Sequence, residues 1–168
     1  MGKAFIGAWI QAIGTVISAI GNTPSNKIPS SLATDLDIIG NVLQATGNGL
    51  AADTEEDLSL NKVGSQIQAA GNSTVLIGLL FPLSSKGKII LNNQGNLLQA
   101  LGSSAALGDD TEVFAILGNL LQAIGNSMQA IAGGQELRGR NADELNAIGN
   151  WIQAIGAILS ALAVEEDA

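Results

Sequence analysis

The sequence predicts an all-α protein in which six antiparallel helices pack as a layered helical stack or bundle. Two observations predict this fold. One eight-residue phrase, Gly-x-x-(Ile/Leu)-Gln-Ala-x-Gly, occurs six times and begins at Gly7, Gly40, Gly64, Gly95, Gly118 and Gly149. Apolar residues around each copy follow one another at spacings of three and four, which is a helical period. Repetition on this scale is typical of helical repeat proteins, so we expect residues 1–168 to form a single helical repeat domain.

Breaks between the apolar segments locate the first three helices. Gly21-Asn22-Thr23-Pro24 ends the first segment, and Pro29-Ser30-Ser31 begins the second. Thr54 followed by Glu55, Glu56 and Asp57 reads as the start of the third, because a hydroxyl cap and acids in the first turn favour a helix N-terminus. Pro82 ends or kinks the third helix. The predicted helices are 3–21, 31–51 and 54–82.

The same signals locate the other three helices. Gly108 follows the fourth apolar segment, and Asp110-Thr111-Glu112 begins the fifth. Gly133-Gly134 ends the fifth, because glycine is favoured just after a helix. Asn141-Ala142-Asp143-Glu144 begins the sixth. The predicted helices are 86–107, 111–132 and 142–164. The copies begin 33, 24, 31, 23 and 31 residues apart, and this alternation indicates duplicated two-helix units.

Glycine and glutamine share one stripe of each predicted helix. The closing glycines are Gly14, Gly47, Gly71, Gly102, Gly125 and Gly156, and the glutamines are Gln11, Gln44, Gln68, Gln99, Gln122 and Gln153. Twelve interior glycines cost on the order of 12 kcal/mol relative to alanine. We therefore expect them to allow close helix contact, with the buried amides bonded to one another or to backbone carbonyls. The apolar seam is expected to pack as well, and the asparagines after the first glycine (Asn41, Asn96, Asn119, Asn150) to face water.

Two groups of these residues have alternative roles. The six glutamines fix helix register through amide hydrogen bonds, or instead line a polar channel or ligand track; register is the favoured interpretation. Trp9 and Trp151 occupy the same place in the first and last copies, where the others carry Val42, Gln66 or leucine. The tryptophans cap the ends of a stack, mediate contact between subunits, or simply fill a core.

Composition excludes several function classes. The formal net charge is −8, with 7 basic residues and no basic cluster, so a nucleic acid is not an expected partner. The chain has no Cys and no His, which excludes disulfides, thiol catalysis and histidine-based sites. Acids near residues 53–57 and 109–112 suit helix capping far better than Ca²⁺ binding, because no EF-hand spacing is present. No catalytic residue, cofactor or metal is predicted.

Water and lipid remain alternative surroundings for the helices. Uncharged stretches such as Ala4–Asn26 and Leu145–Val164 are long enough to cross about 30 Å of hydrocarbon. Against a membrane stand a glutamine in every copy, the lack of tyrosine, and connections without a clear Lys/Arg bias. The apolar N-terminal segment contains a copy of the phrase, so it is interpreted as a helix and not as a cleaved signal peptide.

The phrase Gly-Asn-x-Leu-Gln-Ala-x-Gly-Asn, as at Gly40–Asn48 and Gly118–Asn126, resembles that of small uncharacterised repeat proteins of spore-forming bacilli. The resemblance runs through the repeats and implies a bacterial source, with a cytoplasmic, spore or cell-surface location. It implies no activity and no catalytic residue.

The function predicted from the sequence is structural. Every helix has two seams and the terminal copies are among the most apolar, so exposed seams are expected to mediate homo-oligomer or filament formation. The alternative function is a membrane-embedded or membrane-active, pore-forming-like protein. A weaker third is a small-molecule binder with a Gln-lined pocket.

Overall fold

A computed structural model of the chain describes residues 2–54, 57–109 and 111–165. It confirms an all-α fold of six helices, with no strand in those ranges. The helices are α1 (Lys3–Gly21), α2 (Ser30–Thr54), α3 (Leu60–Leu80), α4 (Ser85–Ala106), α5 (Val113–Glu136) and α6 (Asp143–Leu162).

Two predicted helix boundaries are wrong. Thr54 is the last residue of α2, and α3 begins only at Leu60, where Ser59 Oγ accepts a hydrogen bond from Lys62 N at 2.9 Å. Glu55 and Glu56, read as part of the start signal, lie outside the described residues. The fifth helix continues through Gly133 and Gly134 to Glu136, because the left-handed residue that follows it is Gly139, at φ +74°.

The six helices form a closed ring. Each helix contacts the one before it and the one after it, and α6 returns to contact α1, so every described helix has two neighbours. The closest contacts join α1 to α2, α3 to α4, and α5 to α6, which makes the ring a set of three antiparallel hairpins. We call the end with the three within-hairpin connections the hairpin end, and the end with the α2–α3 and α4–α5 connections the crossover end.

The distribution of polar and apolar side chains is the reverse of that in a water-soluble bundle. The largest fully buried side chains are Gln122, Asn72, Asn126, Thr15 and Ser103. Large apolar side chains are instead exposed around the whole perimeter, one on each helix being Ile13, Ile39, Ile77, Leu101, Ile131 and Ile155. The apolar seam expected to pack against neighbouring helices therefore faces outward.

The ring closes between α1 and α6 through small residues. Ala12, Ala157 and Ala161 form a buried cluster, against which Trp9 and Ile158 pack. The Trp9 ring lies 6.3 Å from that of Phe5. Trp151 is 41% exposed, and its Nε1 donates to Thr23 Oγ1 at 2.9 Å. Both tryptophans thus lie at the junction of the first and last helices, within one chain.

Candidate functional site: an amide-lined axis

Paired glycines bring the two helices of each hairpin into backbone contact. A Cβ atom built on any of these twelve glycines would lie 2.5–2.9 Å from the carbonyl oxygen of its partner glycine, closer than real Cβ atoms approach. The pairs are Gly7 with Gly47, Gly14 with Gly40, Gly64 with Gly102, Gly71 with Gly95, Gly118 with Gly156, and Gly125 with Gly149. The first glycine of one copy therefore always meets the closing glycine of the next, which fixes the register of each antiparallel hairpin.

That register brings the six glutamines together on the axis in two layers. Their side chains are only 1–8% exposed. In the layer from the odd-numbered helices, Gln11 Nε2 donates to Gln122 Oε1 at 2.7 Å and approaches Gln68 Oε1 at 3.5 Å. In the layer from the even-numbered helices, Gln153 Nε2 donates to Gln44 Oε1 at 3.0 Å and to Gln99 Oε1 at 3.1 Å. Each layer links all three hairpins.

Serine and a seventh glutamine complete these layers. Gln44 Nε2 donates to Ser18 Oγ at 3.2 Å, and Gln122 Nε2 donates to Ser160 Oγ at 3.0 Å. Gln129 Nε2 donates to Gln153 Oε1 at 2.8 Å. A buried amide without a partner costs about 1–3 kcal/mol, so these bonds are what permits the glutamines to be buried. The two layers close the axis at its middle.

Asparagines extend the polar interior toward the hairpin end, so the prediction that they face water is wrong. Asn41, Asn96 and Asn150 are 4–5% exposed. Asn119 is half-buried and instead lines a cavity at the crossover end. The reason is geometric: at about 100° per residue, these positions lie about a quarter turn from the stripe of glycines and glutamine, on the side opposite the apolar seam, which faces outward. Once the glycines fix the helix contact, that side becomes the interior.

A small polar chamber lies inside the hairpin end. Its volume is about 10 Å³, and no sequence pattern predicted it or its one carboxylate, Asp37. Asp37 is level with Gly21, the last residue of α1. Burial raises the pKa of the Asp37 carboxyl to about 6, although hydrogen bonds from Asn22, Ser18 and Asn41 favour its charged form. The corresponding residues of the fourth and sixth copies, Asn92 and Asn146, are neutral. This mismatch among copies is the sequence signal that marks Asp37.

A second cavity, of about 30 Å³, adjoins the chamber. The two share Asn92, Asn96, Gln129 and Asn146, and the second also contacts Glu136. Burial raises the pKa of Glu136, and the nearby negative charge of Asp143 raises it further. The hairpin end thus holds two carboxylates among neutral amides.

A wider cavity of about 230 Å³ opens at the crossover end, where Gln11, Gln68 and Gln122 form its floor with Asn48 and Ser160 among the walls. Nearby, Asp109 Oδ2 accepts from Leu60 N and, at 3.2 Å, from Asn61 N, so this acid caps α3. Lys3 Nζ pairs with Asp53 Oδ2 at 2.9 Å, and the Lys3 ammonium lowers the pKa of Asp53.

Comparison with known proteins places the chain in a family. The sequence model of that family matches residues 2–161, a region that takes in all six copies of the phrase. The chain belongs to DUF6944. This is a family of unknown function. No curated protein and no solved structure matches the chain.

The interior of this DUF6944 chain has the chemistry of hydrogen bonding and hard-oxygen coordination. Amides and hydroxyls line most of it, with the carboxylates of Asp37 and Glu136 at the hairpin end. Within the described ranges, no group of three or more Asp or Glu residues is gathered as a metal site. The function of the DUF6944 chain must therefore be argued from the amide axis and the apolar perimeter.

Proposed function

We propose that this chain is a non-enzymatic, membrane-embedded helical bundle whose apolar perimeter contacts lipid acyl chains. One observation supports the proposal above all others: large apolar side chains face outward on every helix, while amides fill the axis. In water the hydrophobic effect favours the opposite distribution. In a bilayer, apolar side chains lose nothing by facing outward, and hydrogen bonds and close packing hold helices together.

Helix dimensions support this proposal. The helices have 19 to 25 residues, hence lengths of about 28–38 Å at 1.5 Å per residue. The hydrocarbon core of a bilayer is about 30 Å thick. By length and composition alone, α1 and α6 qualify as membrane spans. The mean hydropathy of the other four is lowered partly by amides, and the invariant glutamine of each copy of the phrase faces the interior.

The outward hydroxyls also suit lipid. Thr46, Ser73, Ser104 and Ser127 are exposed, and each donates to the carbonyl oxygen four residues earlier in its own helix, at 2.7–2.9 Å. A hydroxyl satisfied in this way needs no water. Hydrocarbon cannot accept a hydrogen bond, and these hydroxyls present no unsatisfied donor to it.

Acyl chains cover the perimeter better than one further copy of the protein does. A two-fold contact buries one patch on each subunit, whereas the exposed apolar residues surround the ring. The perimeter also contains an apolar groove of about 210 Å³ at the α1–α6 junction, contacted by Trp9, Ile13, Ile17 and Ile158. A flexible acyl chain fits a groove of this size and composition.

The test measures whether the perimeter contacts lipid. The protein is expressed, its membranes are washed at high pH, and it is reconstituted with lipids brominated on their acyl chains. We expect membrane retention and quenching of both single-tryptophan variants, Trp9→Phe and Trp151→Phe, because Trp151 is exposed and the half-buried Trp9 lines the apolar groove. Recovery as a monodisperse particle without detergent, with unquenched tryptophans, would falsify the proposal.

Self-association is a second candidate, and exposed amides favour it. Gln66 on α3 and Gln94 on α4 are exposed within the apolar perimeter. An outward amide in lipid gains from an amide partner on another helix, so we propose that the outer surface around Gln66 and Gln94 mediates homo-oligomerisation. Chemical crosslinking in bilayers should yield dimers, and the double variant Gln66→Leu/Gln94→Leu should abolish them. Unchanged crosslinking would remove these residues from the interface.

A further inference from the structure

We propose that the chamber at the hairpin end binds one dehydrated monovalent metal cation. Its ligands are the Asp37 carboxylate and the side-chain oxygens of Asn41, Asn96 and Asn150. These asparagines occupy the same position in the copies on α2, α4 and α6, so they surround the axis with pseudo-threefold symmetry.

The orientation of the three amides leaves their oxygens free for a ligand. Asn41 Nδ2 donates to Asp37 O at 2.9 Å, and Asn150 Nδ2 donates to Asn146 O at 2.9 Å. Because a backbone carbonyl can only accept, each of these bonds fixes which end of the amide is nitrogen. Asn96 Nδ2 is directed likewise toward Asn92 Oδ1, at 3.4 Å. In the described part of the chain, the Oδ1 atoms of these three buried asparagines accept no hydrogen bond.

Charge in the chamber calls for a cation. The hydrogen-bond partners of the Asp37 carboxyl are the neutral residues Ser18, Asn22 and Asn41. The described ion pair of the chain, Lys3 with Asp53, lies at the opposite end of the bundle. A shielded carboxylate with only neutral partners carries an uncompensated charge.

The other helices around the chamber add no positive charge to its lining. The lining residues from α1, α3, α4 and α6 are uncharged, as is Gln129 of α5. Glu136 of α5 lines the adjoining cavity, with Asp143 of α6 nearby, and both are acidic. One carboxylate in the lining balances one monovalent charge.

Size and donor type select the ion. A volume of about 10 Å³ holds one water molecule and excludes a hydrated ion or an organic cation. Carboxylate, amide and hydroxyl oxygens are hard donors, which suit alkali and alkaline-earth cations. The adjoining cavity supplies an access route, and its wall includes Asn93, whose buried Oδ1 accepts no hydrogen bond among the described residues. Na⁺ is therefore the ion to test.

The experiment compares thermal unfolding of the purified protein in NaCl, KCl and choline chloride at equal ionic strength. A cation that binds only the folded state raises the midpoint with the logarithm of its concentration. We expect a higher midpoint in Na⁺ than in choline, and Asp37→Asn should remove the difference. Asp35→Asn is the matched control, because Asp35 lies two residues away on α2 and is exposed; this variant should keep the response to Na⁺.

A direct measurement of Na⁺ binding tests the proposal even if the Asp37→Asn variant fails to fold. The relaxation of ²³Na⁺ in the presence of the unsubstituted protein should be enhanced, and added Li⁺ or K⁺ should displace the ion to different extents. Equal midpoints in all three salts, or no enhanced ²³Na⁺ relaxation, would overturn the proposal. Neither result bears on the membrane, which lipid quenching tests separately.

Discussion

A glutamine side chain that leaves water must replace the hydrogen bonds that its amide N–H groups and its carbonyl oxygen formed with water. Gln122 shows how this chain does so. It is 1% exposed, accepts from Gln11 Nε2 at 2.7 Å and donates to Ser160 Oγ at 3.0 Å. These bonds join α5 to α1 and to α6. The amide thus links α5 to α1, a helix with which α5 has no glycine contact, as well as to α6.

Replacing this glutamine with leucine should be costly. Gln122→Leu leaves Gln11 and Ser160 with unpaired groups in the interior, and each unpaired group costs about 1–3 kcal/mol. Equilibrium unfolding in detergent should show a loss of that size. Asn26→Leu is the control, since it removes an exposed amide in the α1–α2 connection that forms no hydrogen bond in the described chain, and its midpoint should not change. Equal stability of the two variants would mean that the axial amides contribute nothing.

Glu136 gives the stability of the bundle a dependence on pH. Its pKa is raised from 4.5, first by burial and then by Asp143, so the folded state binds the proton more tightly than the unfolded state. The resulting stabilisation is present below the unfolded pKa and is lost as pH rises through the higher folded pKa. Glu136→Gln should therefore raise the unfolding midpoint at about pH 7.5 and not at about pH 4.

The control for this titration is Glu165→Gln, because Glu165 is exposed beyond the end of α6. The unfolding midpoint of this variant should change between the two pH values by the same amount as the midpoint of the unsubstituted protein. A gain for Glu136→Gln that is the same at both pH values would show that the side chain acts through packing and not through its charge.

At the scale of the element, the hairpin is the unit that the phrase encodes. Glycines at both ends of the phrase meet their counterparts on the neighbouring antiparallel helix, and the glutamine between them turns to the axis. The sequence predicted six helices and close contact at the glycines from spacing alone, because those properties depend on period and residue size. It could not predict that Asn41 and Asn150 are buried, since period alone does not distinguish the inside of a helix from its outside.

Substitution of two glycines on α2 distinguishes the effect of close helix contact from the effect of glycine on backbone flexibility. A Cβ on Gly47 would lie 2.5 Å from Gly7 O and 2.6 Å from Gln11 N, whereas one on Gly49 would meet nothing within 4 Å. Gly47→Ala should therefore destabilise the protein by about 1–3 kcal/mol through overpacking. Gly49→Ala should stabilise it by about 0.5–1 kcal/mol, because alanine is the better helix former. Thermal or denaturant unfolding of the pair measures both, and a gain in stability for Gly47→Ala would contradict the close contact.

Helix ends were the least predictable part of each element. Thr54 and the acidic residues after it have the composition of a helix start. Helix α2 nevertheless continues through Thr54, because its copy of the phrase is followed by Leu50, Ala51 and Ala52, which extend the helix. Local capping signals identify a break in the chain, but packing decides on which side of the break a residue lies.

On the scale of the whole molecule, the basic residues are distributed unevenly between the two ends of the ring. The sequence showed no clear bias between its connections, but the hairpin topology gathers five of the seven basic residues at one end: Lys27, Lys86, Lys88, Arg138 and Arg140. Lys3 and Lys62 lie at the crossover end. Membrane proteins keep their Lys- and Arg-rich connections in the cytoplasm, so under the proposed membrane function we predict that the hairpin end faces the cytoplasm.

Single cysteines can test this orientation, because the chain has none of its own. Thr54→Cys and Ser25→Cys place an exposed thiol at the crossover end and the hairpin end, respectively. In intact cells a membrane-impermeant maleimide should label Thr54→Cys, and should label Ser25→Cys only after lysis. The reverse pattern would invert the predicted topology, and labelling of neither thiol before lysis would place both ends inside the cell.

Asp37 shows where sequence reasoning about the whole molecule ends. The chamber around it takes lining residues from all six helices, and no local window of sequence contains them. The register of the glycine pairs is what brings these distant residues to one level. Only the comparison of copies, Asp37 against Asn92 and Asn146, singles out the position before the ring is known.

A polar interior also sets how stability changes with temperature. Unfolding raises the heat capacity when it exposes apolar surface and lowers it when it exposes polar surface. Here the buried side chains that unfolding releases are mainly amides, hydroxyls and alanines, and under the proposed membrane function the apolar perimeter faces lipid before and after. The bundle should therefore unfold with a small heat-capacity change, its stability curve should be nearly flat, and cooling should not weaken it as cooling weakens an ordinary hydrophobic core.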